Sequence, residues 1–388
     1  MWKLTAATKV PIFSWADPET LDQGTKLQIV NLANLPFAFH HVALMADAHV
    51  GYGMPIGGIL ASKDYLVPNA VGVDIGCGMV AVVTNLKKEE FFTKRENIGV
   101  EIFTSVPVGF KKHKAEQKHE LFARLPDLPL IGQELKNIKT QMGTLGGGNH
   151  FIDILYDSNS RVWLMVHSGS RHLGHSIAGF YHKKAVEFSH ENFKEYPDNE
   201  LAALAVESEL GQEYLTYMKF AQQYAFFNRQ RMLEIIKRII DSHFPHIKYE
   251  QEINIHHNFA NLEEHFGQKV WVHRKGAISA NKDEWGIIPG SMGTHSHITN
   301  GFGNPDSFNS ASHGSGREIG RREAKRKFNM QDVEGDLAAK DVKLYKASNA
   351  GAIEEFTRSY KNIESIIELQ KDLVTTKFKL FPMLVVIG

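Results

Sequence analysis

VGVDIGCGMVAVVTNL, residues 71–86, decides how this chain reads. It is an apolar, β-rich stretch, which suits a buried strand. Beside that strand lies a polar, Gly-rich loop carrying Asp74 and Cys77. Two other stretches have the same character: PFAFHHVALMAD (36–47) and VWLMVHSG (162–169). Each predicts a buried strand joined to a glycine-rich loop. Between and after them the pattern changes to helical spacing. Short helices are predicted over 113–124 and 132–142, and longer ones over 176–191 and roughly 199–242. In the last of these, Tyr217, Phe220, Tyr224 and Phe227, then Leu233, Ile236, Ile239 and Ile240, recur at 3.6-residue spacing. Strand patterns return at 269–273, 277–280 and 286–289. A helix is predicted to open near Arg317, another over 352–374, and a final strand over LFPMLVVIG. There is no regular βαβ alternation, internal repeat or linker. The expectation is one α+β domain over residues 1–388, with a mixed or antiparallel β core surrounded by helices.

Lysine plus arginine equals aspartate plus glutamate, at 44 each, so any nucleic-acid contact has to use a local patch rather than bulk charge. Cys77 is the only cysteine, which excludes a disulfide within the monomer and fits a reducing compartment. No apolar run approaches the ~20 residues of a membrane helix. The N-terminal MWKLTAATKVPIF has no signal-peptide pattern, so a cytoplasmic protein without membrane partners is expected.

The chemistry lies in five short motifs. Asp74 and Cys77 stand three apart among glycines that let both side chains aim at one point. A carboxylate with a thiolate suits a borderline divalent cation, although a lone buried cysteine usually serves as a small hydrophobe. GTLGGGNHFID (143–153) places Asn149 and His150 after a glycine run. VHSGSRHLGH sets His167 at a strand end, with Arg171 four residues on. INIHHNFA carries His256, His257 and Asn258; strand alternation lets only one of the two histidines face a given site. Singly, each histidine fits an ordinary core role as well. The fifth motif, SASHGSGREIGRREAKRKF (310–328), has His313 before Gly314, Ser315 and Gly316, followed by Arg317 and Arg321. A Gly-rich loop feeding a helix start favours phosphate, and a neighbouring imidazole can attack phosphorus. Two more loops look functional: DAHVGYGMPIGG (47–58), pairing Asp47 and His49, and IPGSMGTHSH (288–297).

Taken together, DAHxGYGxPIGG, VGVDIGCGM, GTLGxGNHF, HxGSR, HHN, RKGA, IPGSMGT and HGxGR, in this order, resemble the RtcB family of RNA-splicing and repair ligases. The resemblance runs from about residue 40 to the C-terminus. It implies two Mn²⁺ ions held by Asp74, Cys77, His150, His167 and His257, with the thiolate bridging and Zn²⁺ a possible competitor. It implies a GTP-dependent enzyme whose guanylylated histidine is His313. Phosphate contacts would fall to Asn149, Arg171, Asn258 and Arg317, and guanine contacts to Phe151, Asp153, Ser291, Ser296 and Tyr360. The substrates would be RNA with 2′,3′-cyclic phosphate or 3′-phosphate ends and 5′-hydroxyl ends, in RNA repair or tRNA splicing, with an archease-type activator as a partner.

Four positions depart from the family pattern. Ile387 stands where the family has a tail lysine, and Asp153 where a longer glutamate reads the guanine. His295 and His172 replace small residues next to expected site positions. These departures keep two alternatives open: a metal-dependent cyclic phosphodiesterase that opens RNA ends without sealing them, and a non-catalytic RNA-end binding protein. DNA ends are a further substrate to compare.

Overall fold

The strand Gly78–Lys87 is buried on both faces, and its two faces belong to two different cores. Val80 and Val82 pack with Met232, Leu233 and Ile236, while Met79, Ala81 and Val83 pack with Trp163, Ile287 and Ile298. Side chains alternate along a strand, so a continuous apolar run is what two covered faces require. The computed structural model describes residues 1–123, 125–126 and 129–388.

Gly78–Lys87 lies inside an eight-stranded sheet. The strand order is Tyr249–His256, Gly78–Lys87, Arg161–Ser168, Phe151–Tyr156, Val374–Ile387, Ser296–Gly301 and Trp285–Ile288, with Lys343–Lys346 added in parallel to Val374–Ile387. A second sheet of six strands runs Trp2–Leu4, Ile12–Ser14, Ala38–His49, Ile56–Ser62, Gln268–Lys275 and Asn258–His265. All but one of its pairings are antiparallel; Ile12–Ser14 joins Ala38–His49 in parallel. The class is α+β with a mixed, mainly antiparallel core, as expected. His257 sits at the junction between the two sheets, between Tyr249–His256 of one and Asn258–His265 of the other.

The helix Glu209–His243 ties the sheets to the loops. Ser208 caps it by accepting from the Gly211 amide. Its first half buries Tyr214, Tyr217, Met218 and Tyr224 in one core, and its second half buries Met232, Leu233 and Ile236 in another. Between the two lie Asn228 and Arg229, both fully buried. Asn228 Oδ1 accepts from the Gly143 and Thr144 amides, at 2.7 and 3.2 Å. Arg229 Nη1 donates to the carbonyls of Gly76 (2.9 Å) and Ser168 (3.0 Å). The middle of this helix therefore fixes three loops that end at one place. Among the described residues no helix is long and apolar enough to cross a membrane.

Four helix expectations need correction. Over 113–124 only a 3-10 turn, Glu120–Ala123, forms, and residue 124 lies outside the described residues. The stretch before it has no apolar stripe, and its backbone bonds sideways instead, His113 N to Thr140 O and Gln117 N to Lys139 O. The long helix starts at Glu209 rather than near 199, because residues 199–205 form a 3-10 turn and a two-residue strand. No helix opens at Arg317, which pairs with Tyr360 in an isolated bridge; the helix is Arg321–Lys327, and a second, Met330–Ala339, follows behind the Asn329 capping box. Residues 352–374 break into Asn349–Glu354, Thr357–Ser359 and Ile363–Leu369, the last restarted by the Asn362 cap.

Candidate metal centre and adjoining pocket

Asp74 and Cys77 lie in the loop that enters Gly78–Lys87, and a turn from the Cys77 amide to the Asp74 carbonyl (3.0 Å) sets their spacing. His150 immediately precedes Phe151–Tyr156, and His167 sits opposite both Met79 and Phe151 in the sheet. The His257 amide donates to the Cys77 carbonyl at 2.8 Å, which brings the third histidine to the same point. His256 turns the other way, its Nδ1 2.8 Å from the Gly76 carbonyl, as strand alternation predicted.

Cys77 Sγ is 3.4 Å from both His150 Nε2 and His167 Nε2. Beyond these, Asp74 Oδ2 is 3.1 Å from His150 Nε2, and His257 Nε2 is 2.9 Å from His167 Nε2. The contacts thus run as a chain, Asp74–His150–Cys77–His167–His257, with the sulfur at its centre. The atoms of Cys77, His150 and His167 all fall within 4.8 Å of one another.

Hydrogen bonding on the far side of each ring shows what these atoms offer. His150 Nδ1 faces the Leu145 carbonyl at 2.9 Å, and His167 Nδ1 faces the Asn149 carbonyl at 2.8 Å. His257 Nδ1 is 3.3 Å from Asn258 Oδ1, itself an acceptor for the Gly276 amide. Each Nδ1 therefore carries a proton; His167 and His257 turn their Nε2 atoms toward each other, His167 Nε2 also meets the thiol, and His150 Nε2 faces both the thiol and the Asp74 carboxylate. A buried set of electron-pair donors with almost no proton among them is stable around cations, and its carbonyl-oriented imidazoles are typical of metal ligands. The residues fit a pair of borderline divalent ions sharing the thiolate. Gly169 keeps room for this arrangement: a Cβ there would sit 2.2 Å from Asp74 Oδ2.

Without a cation, the electrostatics are those of crowded lone pairs. Burial, then the Asp74 carboxylate, holds the Cys77 thiol well above its usual pKa. Burial, then neighbouring imidazoles, pushes His167 and His257 well below theirs. Burial acts to raise Asp74, but His150 and then Arg171 outweigh it and bring the carboxyl down to about 2. Each of the neutral imidazoles and the carboxylate is already in its ligand form.

His313 follows the strand Ser310–Ser312, and its ring lies 4.7 Å from that of His257. Its Nδ1 is 2.7 Å from Oδ2 of Asp47, a fully buried carboxylate at the end of Ala38–His49. This contact assigns the proton to Nδ1 and leaves Nε2 as the nucleophilic nitrogen.

A pocket opens beside His313 and His167. Asn149, Phe151, Asp153, Ser291, Gly314, Ser315 and Tyr360 line it, as do Met292, Val385 and Ile387. Asp153 is buried with Oδ1 unpartnered, and burial pushes its carboxyl well above the usual range. On the other side of the metal centre, Asn258, Gly316 and Arg317 line an open groove that also reaches Asp74, Cys77, His257 and His313. Two expected contact residues line neither space. Ser296 accepts from the Gly290 amide at 3.2 Å and props that loop. Arg171 turns back to Thr144 Oγ1 (3.2 Å) and the Gly109 carbonyl (3.3 Å). Arg317 reaches the groove, but its guanidinium is already engaged by Glu355, Tyr360 and the carbonyls of Glu354 and Ile319.

Sequence reasoning assigned no role to three residues that matter here. Asp47 stood in a motif of interest, yet nothing in the motif tells which distant histidine it meets. Lys275, in RKGA, is buried with its ammonium 2.5 Å from the Tyr52 carbonyl, and burial lowers it to about 7. Arg229 carried one faint signal, a polar pair interrupting an apolar helical stripe.

Known proteins place this architecture. The family description "tRNA-splicing ligase RtcB" matches residues 28–127 and 123–388. The chain is 34% identical to the RNA-splicing ligase RtcB of Escherichia coli (strain K12) over 410 aligned residues, covering 100% of each. It is 28% identical to the tRNA-splicing ligase RtcB of Thermococcus kodakarensis, covering 95% of this chain and 92% of the relative. It is 30% identical to that of Pyrobaculum aerophilum, covering 93% and 90%. With a matched family description over nearly its whole length and full-length relatives on both counts, the chain belongs to the RtcB family of tRNA-splicing ligases.

Proposed function

We propose that this chain is a Mn²⁺- and GTP-dependent RNA ligase that joins 3′-phosphate or 2′,3′-cyclic phosphate ends to 5′-hydroxyl ends through a guanylylated His313. The observation that carries this reading is the pairing of two features. A thiol, a carboxylate and three imidazoles are linked in one buried cluster, and an imidazole held by a buried carboxylate stands 4.7 Å from the nearest of their rings. Two bound cations would supply charge neutralisation for a triphosphate and an in-line geometry for phosphoryl transfer.

The chain's own residues do the rest. Asp47 keeps the proton on Nδ1 of His313 and stabilises the positive charge that develops there. Nε2 attacks the α-phosphorus of GTP; an N–P bond forms, the α–β bridging P–O bond breaks, and pyrophosphate leaves. A cyclic phosphate end is first hydrolysed to a 3′-phosphate. That phosphate takes the guanylyl group from His313, breaking the N–P bond and freeing the imidazole. The 5′-hydroxyl then attacks the activated 3′-phosphate and expels GMP. The covalent adduct divides one difficult ligation into easier displacements.

Incubation with Mn²⁺ and α-labelled GTP should leave an acid-labile label on the protein that is absent from His313→Ala. A protein that takes no label, or a variant that keeps it, rejects the reading. One observation favours a second reading. The candidate metal donors lie together, whereas the pocket is lined by apolar Ile387 and by Asp153, whose Oδ1 has no partner among the described residues. A phosphodiesterase that opens cyclic ends without sealing them would convert those ends without GTP and yield no joined product.

A further inference from the structure

The groove that runs from the metal centre to the surface has an apolar rim. Among the described residues, the large hydrophobic side chains left exposed include Val50 (49%), Tyr52 (69%) and Val73 (42%), and all three line this groove. Exposure of a single apolar residue needs no explanation, but three at one mouth do.

The segment bearing Tyr52 is held firmly although its ring has little to pack against. Gln28 clamps the preceding residue from both sides, Nε2 donating to the Gly51 carbonyl (2.6 Å) and Oε1 accepting from the Gly51 amide (3.0 Å). Lys275 donates to the carbonyl of Tyr52 itself. Gly53 adopts φ +66, and a Cβ there would lie 2.5 Å from the Glu200 carbonyl, so the backbone beyond Tyr52 has one tight course. A fixed backbone that presents an unpacked ring is pre-organised for a ligand, because the ordering entropy is already spent in folding.

The groove's charge says which ligand. Arg321 and Arg322 line it with exposed side chains; Arg321 is held by Glu354 and Glu355, whereas Arg322 forms no ion pair among the described residues. An unpaired basic side chain and an exposed aromatic face in one groove that leads to the candidate metal centre suit an unpaired nucleotide: the base stacks and a phosphate meets Arg322. We propose that Tyr52, with Val50 and Val73, is a stacking platform for an unpaired terminal base of the RNA strand whose end enters the metal centre. The proposal rests on the RNA-end reading above and adds to it a residue that holds the strand by its base.

The test is equilibrium binding, which does not depend on ligation. Fluorescence anisotropy would follow the full chain, with Mn²⁺ present, against a short single-stranded RNA with a 5′-hydroxyl and a 3′-phosphate. Two further RNAs lack the base of the first or of the last nucleotide. Tyr52→Ala should weaken binding of the intact RNA by about five- to tenfold, and Tyr52→Phe and Tyr52→Trp should restore it. Removing the stacked base should weaken binding to the unmodified protein by a similar factor and have no effect in Tyr52→Ala; whichever end shows this coupling is the end the platform holds. Equal losses on base removal with and without the ring, or unchanged affinity in Tyr52→Ala, overturn the proposal. The labelled-GTP experiment on the unmodified protein reports separately on the ligase reading, so the two can fail independently.

Discussion

Asp47 Oδ2 and His313 Nδ1 are 2.7 Å apart although 266 positions separate them in the chain. The carboxylate is fully buried, and its other oxygen has no partner among the described residues. Burial works against its ionisation, yet His313 holds its pKa below the usual value. An asparagine fits the same space but can present an amide N–H to Nδ1, which reverses the tautomer and places the proton on Nε2. Asp47→Asn should therefore slow covalent labelling by GTP by about a hundredfold or more, with little change in melting temperature. A labelling time course on both proteins decides it; an equal rate would show that the tautomer is set elsewhere.

Cation binding should release protons, because the thiol among the donors is held in the wrong form. The Cys77 thiol is kept protonated by burial and by Asp74, whereas His167, His257 and the Asp74 carboxylate are ready. Calorimetric titration of the metal-stripped protein with Mn²⁺ at neutral pH, in two buffers of different ionisation enthalpy, should show net proton release. Cys77→Ser should release fewer protons and bind more weakly, and chelation of the metal-loaded protein should lower its melting temperature.

How much of this was legible in the sequence depended on whether the signal was local. The strand Gly78–Lys87, the pairing of Asp74 with Cys77 and the opposed directions of His256 and His257 follow from alternation and glycine placement over a few residues, and the structure agrees. The helix expected at Arg317 failed because a long-range bridge to Tyr360 and the amide bond from Glu318 to the Ser359 carbonyl outcompete a local helix. The convergence of His150, His167 and His257 was reachable only through resemblance, since no spacing rule brings residues 150, 167 and 257 together. Arg171 and Arg317 look alike as phosphate clamps in sequence, but in the fold each spends its guanidinium on protein acceptors.

Asp153 should leave a mark on the pH dependence of stability. Burial alone raises its folded pKa well above the unfolded value of about 3.9. Between those two values the folded chain binds a proton that the unfolded chain has lost. The contribution is therefore complete below pH about 3.9 and is lost as pH rises through the folded pKa, by up to about 1.4 kcal/mol per pH unit. Urea unfolding of the ligand-free protein and of Asp153→Asn across this range should show the gap between them shifting in the variant's favour as pH rises. Parallel curves would mean that Asp153 ionises freely.

Arg229 should matter to the metal without touching it. Its Nη1 joins the Gly76 carbonyl, next to Cys77, to the Ser168 carbonyl, next to His167, so one guanidinium fixes the separation of two donors in the sulfur-sharing cluster. Its Nε donates to Asn254 Oδ1 (2.9 Å), on the strand that delivers His257. A lysine ammonium is a point charge on a flexible stem and cannot span these acceptors in one plane. Arg229→Lys should lower unfolding stability by about 1–3 kcal/mol through the acceptors it strands. It should also weaken Mn²⁺ affinity by about 10–100-fold, as the loss of an orienting contact behind a ligand typically does. Loss of stability with unchanged Mn²⁺ affinity, measured by the proton-release titration, would reduce Arg229 to a core strut. Loss of both would show that the middle of the long helix sets the spacing of the metal donors.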